Sequence, residues 1–281
     1  MADEDFVVRI WGARGSLPAC SGSASSFGCA TPCLEVRCGK RIFVLDAGSG
    51  CFPLGQQLVA GESSEFDLFL THCHYDHIEG LPFFRPLHSR GWTGRIWSGH
   101  LAGRMTTEEM VANYMRAPFF PVGPGCFIAD LKFNDFIAGE VIDAGDGVTI
   151  RTLGLNHPGG AVGYRIEFRG RSFCLITDTE HVPGSPDKAI LSFIAGADTV
   201  VYDSAYGDEE FAAYAGYGHS TWQEGARLCD AAGADQFIAF HHQPEKTDVK
   251  LEAVDAALRR MRPNSRLARE GMVILPGKRL E

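Results

Sequence analysis

Thr71-His72-Cys73-His74-Tyr75-Asp76-His77 sets three imidazoles and a carboxylate within six positions. In an extended chain, residues two apart project to the same side, so His72 and His74 can clasp one cation. Asp76 and His77 lie beyond, where the chain turns and can address a second. The residues just before, Phe66-Asp67-Leu68-Phe69-Leu70, are apolar enough for a buried strand, which puts the cluster at a strand's carboxyl end. The pattern points to a binuclear metal site.

The 281 residues are 45% hydrophobic and 22% charged, a composition with ample core for a globular domain. A net charge of −9 and a pI near 5.6 argue against a broad nucleic-acid or anionic-membrane footprint. A local basic pocket remains compatible, since a metal pair carries its own positive charge. Nine cysteines, with no Cys-x-x-Cys pair, suggest a reduced, cytoplasmic set; Cys29, Cys33 and Cys38 are close enough to invite a zinc or disulfide reading, but buried free thiols are the commoner case and the expectation here. The start, Met-Ala-Asp-Glu-Asp-Phe, has acid where a signal peptide needs base, and no apolar run long enough for export or spanning. The mature chain is therefore expected to begin where the sequence begins.

Strand-like runs bounded by Gly, Pro or Ser fall at Phe6–Trp11, Leu34–Cys38, Ile42–Asp46 and Phe66–Thr71, with a short helix at Pro53–Val59. A threonine followed by acidic residues predicts a helix over Thr106–Ala117, and the aromatic, proline-rich Pro118–Gly125 suits a pocket wall or a surface loop. Further strands are expected at Val148–Leu153, Gly163–Phe168, Ser172–Thr177, Thr199–Asp203 and Gln236–Phe240. No linker divides the two β-rich halves. The expectation is one domain over residues 1–281, an α/β protein built as a four-layer αββα sandwich.

Other ligands must then come from later strand ends. His157 follows a strand in Leu155-Asn156-His157-Pro158, Asp178 ends the apolar run Leu175-Ile176-Thr177, and His241 ends Phe237-Ile238-Ala239-Phe240, with His242 as its neighbouring alternative. His219, in Gly218-His219-Ser220-Thr221, precedes a helix start: Ser220 and Thr221 each have Gln or Glu three residues on, the capping-box spacing. A helix amino terminus favours an anion such as phosphate, and an imidazole there can protonate a departing alkoxide.

With these residues in order, the chain resembles the metallo-β-lactamase-fold hydrolases over nearly its whole length. The resemblance implies that His72, His74 and His157 hold one ion, that Asp76, His77 and His241 hold the other, and that Asp178 bridges. Asp46, ending Phe43-Val44-Leu45, looks like the family's buried carboxylate that orients a metal histidine. Trp11-Gly12-Ala13-Arg14-Gly15-Ser16, Gly218-His219-Ser220-Thr221-Trp222 and the closing His241-His242-x-Pro are similar to the phosphodiesterase branch, which includes cyclic-nucleotide phosphodiesterases and tRNA 3′-processing endonucleases. Gly28-Cys29-Ala30-Thr31-Pro32-Cys33 departs from that branch's Gly-Gly-Asn-Thr-Ser-Cys.

The resemblance implies two divalent ions, with zinc first and manganese or iron(II) as alternatives. Such ions, about 3.5–4 Å apart, share a hydroxide and stabilise both oxygens of an in-line displacement at phosphorus. Asp76 would orient or deprotonate the water and His219 would assist the leaving group. A small phosphodiester, with a cyclic nucleotide preferred, is the expected substrate. An RNA-processing endonuclease, a lactone or thioester hydrolase, and a non-hydrolytic metal protein are the alternatives. A redox version is disfavoured, because redox relatives carry Glu where this chain has His74. No membrane partner is expected, and a homo-oligomer is compatible.

Overall fold

Buried and half-buried side chains alternate along Phe6-Val7-Val8-Arg9-Ile10-Trp11-Gly12, the period-two pattern that lays one strand face on a core. The structure, a computed structural model, describes residues 5–20 and 25–280. The first four residues, on which the leader reading partly rests, lie outside the described residues.

In chain order the strands are β1 (Phe6–Gly12), β2 (Cys33–Cys38), β3 (Arg41–Leu45), β4 (Glu65–Leu70), β5 (Thr93–Ser98), β6 (Asp130–Asp135), β7 (Val141–Gly145), β8 (Val148–Leu155), β9 (Ala161–Phe168), β10 (Arg171–Ile176), β11 (Thr199–Asp203), β12 (Gln236–Phe240), β13 (Ser265–Leu267) and β14 (Val273–Ile274). They form two seven-stranded sheets, ordered β14-β1-β2-β3-β4-β5-β6 and β13-β12-β11-β10-β9-β8-β7. The helices are α1 (Cys51–Ala60), α2 (Tyr75–Ile78), α3 (Thr107–Tyr114), α4 (Lys188–Phe193), α5 (Asp208–Phe211), α6 (Trp222–Ala232) and α7 (Asp248–Met261).

Three apolar cores stack through the molecule. The central one packs Val8, Val36 and Phe43 of the first sheet with Ile150, Ile166 and Phe173 of the second. On the outside, Leu54 and Leu58 of α1 and Met110 of α3 cover Val44 and Leu68. On the opposite side, Ala226 of α6 and Leu251 and Leu258 of α7 cover Val200 and Phe237. Helix, sheet, sheet, helix is the four-layer αββα sandwich.

Strands β3 to β6 run parallel, as do β10 to β13. Parallel strands all end at the same edge of a sheet, so the residues just past their carboxyl ends gather there, the usual place for a site in such folds. Asp46 follows β3, His72 follows β4, Asp178 follows β10, Asp203 closes β11 and His241 follows β12. Asp46, Asp178 and His241 adopt left-handed backbone, with φ of 62°, 56° and 67°. Non-glycine residues rarely do so, and such positions concentrate at functional sites.

The expected strands and both expected helices are present, with shifted ends. Strand β4 stops at Leu70, two residues before His72, and α3 runs only over Thr107–Tyr114 because Thr106 is its cap, in a reciprocal capping box with Glu109. Strands β5, β6, β7, β13 and β14 escape the sequence reading. β6 and β7 are sheet edges whose polar, partly exposed residues carry little apolar signal, and β13 and β14 have three and two residues.

The cysteine expectation needs correction. Cys33 and Cys38 are buried free thiols, but Cys29 is disulfide-bonded to Cys20, with Cα atoms 4.7 Å apart. Their segments are held together by the Ala19 N–H, which donates to the Cys29 carbonyl (3.0 Å). A nine-residue separation gives no warning of this pairing in sequence.

Candidate metal centre

Asp178 is the hub. It is 1% exposed, and imidazole nitrogens of His77, His241, His219, His72 and His157 stand 3.2, 3.4, 3.7, 3.8 and 3.9 Å from its two oxygens. Burial pushes its pKa up, yet His241, His77 and His72 outweigh that and hold it well below the usual carboxylate range. The expected residues therefore meet in one place. His72, His74 and His157 form one group, Asp76, His77 and His241 a second, and donor atoms within each lie within 4.8 Å of one another. His72 with His77 and Asp178 makes a third such group that joins the two.

Hydrogen bonds on the far side of the His77, His72 and His157 rings fix which nitrogen faces inward. His77 Nδ1 donates to Asp46 Oδ2 (2.8 Å), leaving Nε2 toward the cluster. His72 Nδ1 donates to Thr71 Oγ1 (3.0 Å), whose hydroxyl donates to Asp46. His157 Nδ1 donates to the Gly218 carbonyl (2.8 Å). This is how metal-binding imidazoles are usually held: the remote N–H is committed and the inner lone pair is free. Burial opposes charge on His77, but Asp178, Asp76 and Asp46 together raise its pKa well above the ordinary value.

The donor set suits divalent cations. His72 Nε2 is buried with no hydrogen-bond partner, an orphaned lone pair at the centre of the cluster. Two nitrogens on one tetrahedral zinc lie about 3.3 Å apart, given Zn–N of about 2.0–2.1 Å. His74 Nδ1 and His157 Nε2 are 3.0 Å apart, and His77 Nε2 and His241 Nε2 are 3.3 Å apart. Buried carboxylates at Asp178 and Asp76 call for compensating positive charge.

Asp76 sits in the short helix α2, where it accepts from the Ser16 N–H (2.7 Å) and faces His241 Nε2 (3.2 Å). Burial raises its pKa, but His77 and His241 more than reverse this and hold it far below the carboxylate range. The Trp11–Ser16 motif owes its composition to this contact. Arg14 is 1% exposed and its Nε and Nη1 donate to the carbonyls of Gly28 (3.0 Å) and Lys246 (2.8 Å), pinning the loop. At Gly15, a Cβ would stand 2.3 Å from the His241 ring, so only glycine lets the backbone pass.

His242 turns away from the cluster, donating from Nε2 to the Ala268 carbonyl (2.9 Å), so the structure brings in His241 and not its neighbour.

His219 joins the cluster by a route the sequence did not reveal. Its Nδ1 donates to Asp203 Oδ2 (3.0 Å) and lies 3.7 Å from Asp178. Burial disfavours the charged ring, but Asp203, then Asp178 and Asp76, raise its pKa to about 9. The expected cap differs in detail. Thr221 alone caps α6, its Oγ1 accepting from the Glu224 N–H (3.1 Å), whereas Ser220 Oγ meets His181 Nδ1 and the Tyr202 hydroxyl. Asp203 was missed although it ends an apolar strand just as Asp46 and Asp178 follow theirs. That repeated position was the available signal.

Known proteins share this arrangement at the level of fold. Residues 41–242 match the family model described as the β-lactamase superfamily domain. The ribonuclease Z of Mycobacterium bovis is 27% identical over 238 residues, covering 76% of this chain and 80% of its own. Among solved structures, the metallo-β-lactamase fold protein YhfI from Bacillus subtilis superposes with a TM-score of 0.72 at 17% identity, covering 96% of this chain and 98% of its own. A diphosphatase from the PhnP family gives 0.72 at 18% identity, covering 98% and 100%. Among the described residues, no helix is long and apolar enough to cross a membrane. With most of its length matched by that model and both sheets arranged as the fold requires, the chain belongs to the β-lactamase superfamily.

Proposed function

We propose that the protein is a metal-dependent phosphodiesterase acting on a small phosphodiester, with a cyclic nucleotide the preferred class. The observation that carries this reading is His219, fixed by Asp203 and aimed into the same cluster as Asp178. A phosphodiester must release an alkoxide, which a protonated imidazole held there can neutralise. In this reading His72, His74 and His157 would hold one divalent ion, and Asp76, His77 and His241 a second, with Asp178 as a further carboxylate donor between the two groups; zinc would suit this mixed imidazole and carboxylate set. When bound, such ions supply Lewis acidity and acidify water.

The chain's own residues do the remaining work. Asp76, held by the Ser16 N–H, orients water for attack or takes its proton. His219 gives a proton to the departing oxygen, and Asp203 keeps the ring in the tautomer that makes this possible. Asp46 and the Gly218 carbonyl hold His77 and His157 in place.

An RNA-processing endonuclease is the second reading, supported by the ribonuclease Z relatives. The net charge of −9 weighs against a large polyanionic substrate. Hydrolysis of bis(p-nitrophenyl) phosphate, cyclic nucleotides, a lactone and precursor tRNA should be compared with one metal-loaded preparation. Turnover of the small diesters supports the proposal; cleavage of precursor tRNA alone reverses the order of the two readings, and lactone turnover alone rejects both.

A further inference from the structure

A ladder of tyrosines climbs away from His219 toward solvent. The Tyr206 ring centre is 6.2 Å from that of His219, and Tyr214 lies flat on Tyr206 at 4.4 Å and 9°. Tyr217 stands nearly perpendicular to Tyr214, at 5.9 Å and 73°. Exposure rises along the series from 3% to 41% to 65%. Packing explains Tyr206 at the buried end. It does not explain a tyrosine that leaves most of its ring in water.

The loop carrying the outer rings is fixed rather than loose. The Glu180 carboxylate accepts from the Gly216 and Gly218 N–H groups, both at 2.8 Å, and the Tyr217 N–H donates to the Tyr214 carbonyl (3.2 Å). Gly218 in turn holds His157 through its carbonyl. One short segment thus connects the outer rings to two histidines of the cluster. Tyr217 precedes His219 by two residues, at most about 7 Å of chain.

We propose that Tyr214 and Tyr217 form a stacking subsite for the planar base of a nucleotide ester whose phosphate lies at the His/Asp cluster. The proposal rests on the phosphodiesterase reading and names the group its substrate carries. Two rings at a steep angle offer a planar ligand one face to lie on and a second ring to stop against, and base–aromatic stacking is tolerant of base identity. The Glu180 carboxylate beside the loop disfavours a second phosphate on this side, so the occupant is a single nucleoside rather than a run of backbone.

Calorimetry on the metal-loaded protein with adenosine 5′-monophosphate and ribose 5-phosphate tests this, since the two ligands share a phosphate and sugar and differ by the base. Wild type should prefer the nucleotide, and Tyr217→Ala should cut that preference by about tenfold, the size of one stacking interaction. Tyr217→Phe, which keeps the ring, should retain it and serves as the folding control. A wild-type preference below about twofold, or a preference unchanged in Tyr217→Ala, overturns the subsite. Bis(p-nitrophenyl) phosphate hydrolysis by the same preparation separates the two claims. Turnover without a base preference rejects the subsite and leaves the phosphodiesterase reading standing, whereas a base preference that depends on Tyr217 without turnover supports the subsite and rejects that reading.

Discussion

Asp203 and His219 are joined by a single hydrogen bond, Nδ1 to Oδ2 at 3.0 Å, between the end of one buried strand and the residue two before the cap of α6. The carboxylate is itself fixed, accepting from the N–H groups of Thr179 and Ala205 at 3.1 Å each. The imidazole is therefore held in one orientation through Nδ1, beside a carboxylate that favours its protonated form.

Replacing Asp203 with Asn keeps the shape but removes the charge that favours the protonated ring. Because general acid catalysis contributes about 10²–10⁴-fold, kcat on a diester with an alkyl leaving group should fall by about 10² or more. A p-nitrophenolate leaves without help, so the loss on bis(p-nitrophenyl) phosphate should be far smaller. Equal losses on both substrates would mean that Asp203 acts only as scaffold.

Asp46 is 0% exposed and organises both His77 and, through Thr71, His72. Asp46→Asn preserves volume while weakening both contacts, and changes of this kind cost about 10–100-fold in metal affinity. Competition with a chromogenic chelator should register that loss. Unchanged affinity would argue that the rings are held by packing alone.

Gly218 has φ +86°, and a Cβ there would lie 2.3 Å from both His157 Nδ1 and Pro158. Gly233 has φ +65° at the carboxyl cap of α6 with nothing within 4 Å of its would-be Cβ. Alanine at either position pays about 1–2 kcal/mol of left-handed backbone strain. Only Gly218→Ala should also displace His157, lowering metal affinity and activity as well as Tm. Gly233→Ala should lower Tm and leave turnover at the wild-type level.

Much of this centre could be read from sequence because its residues mark strand ends, and strand ends are announced by apolar runs that stop. His72, Asp178 and His241 follow such runs, and the parallel strands bring them to the same edge. Asp203 has the same signature but no imidazole neighbour in sequence to single it out; its partner lies 16 residues on. The layered fold was legible from the central strands, whose residues are buried on both faces. Edge strands such as Asp130–Asp135 were not, because half their residues face solvent and are chosen for solubility. The Cys20–Cys29 bond depends on a loop closing on itself, which no local pattern encodes.

The account depends most directly on cations at the meeting point of the two histidine groups. Purified protein should be stripped with chelator, metal content measured, and bis(p-nitrophenyl) phosphate turnover followed as zinc, manganese or iron(II) is added back in steps. Turnover should vanish on stripping and return as the second equivalent binds, with Tm rising alongside; at about 100 times Kd, binding adds about 2.7 kcal/mol per site. Full activity in protein holding no metal would contradict the account.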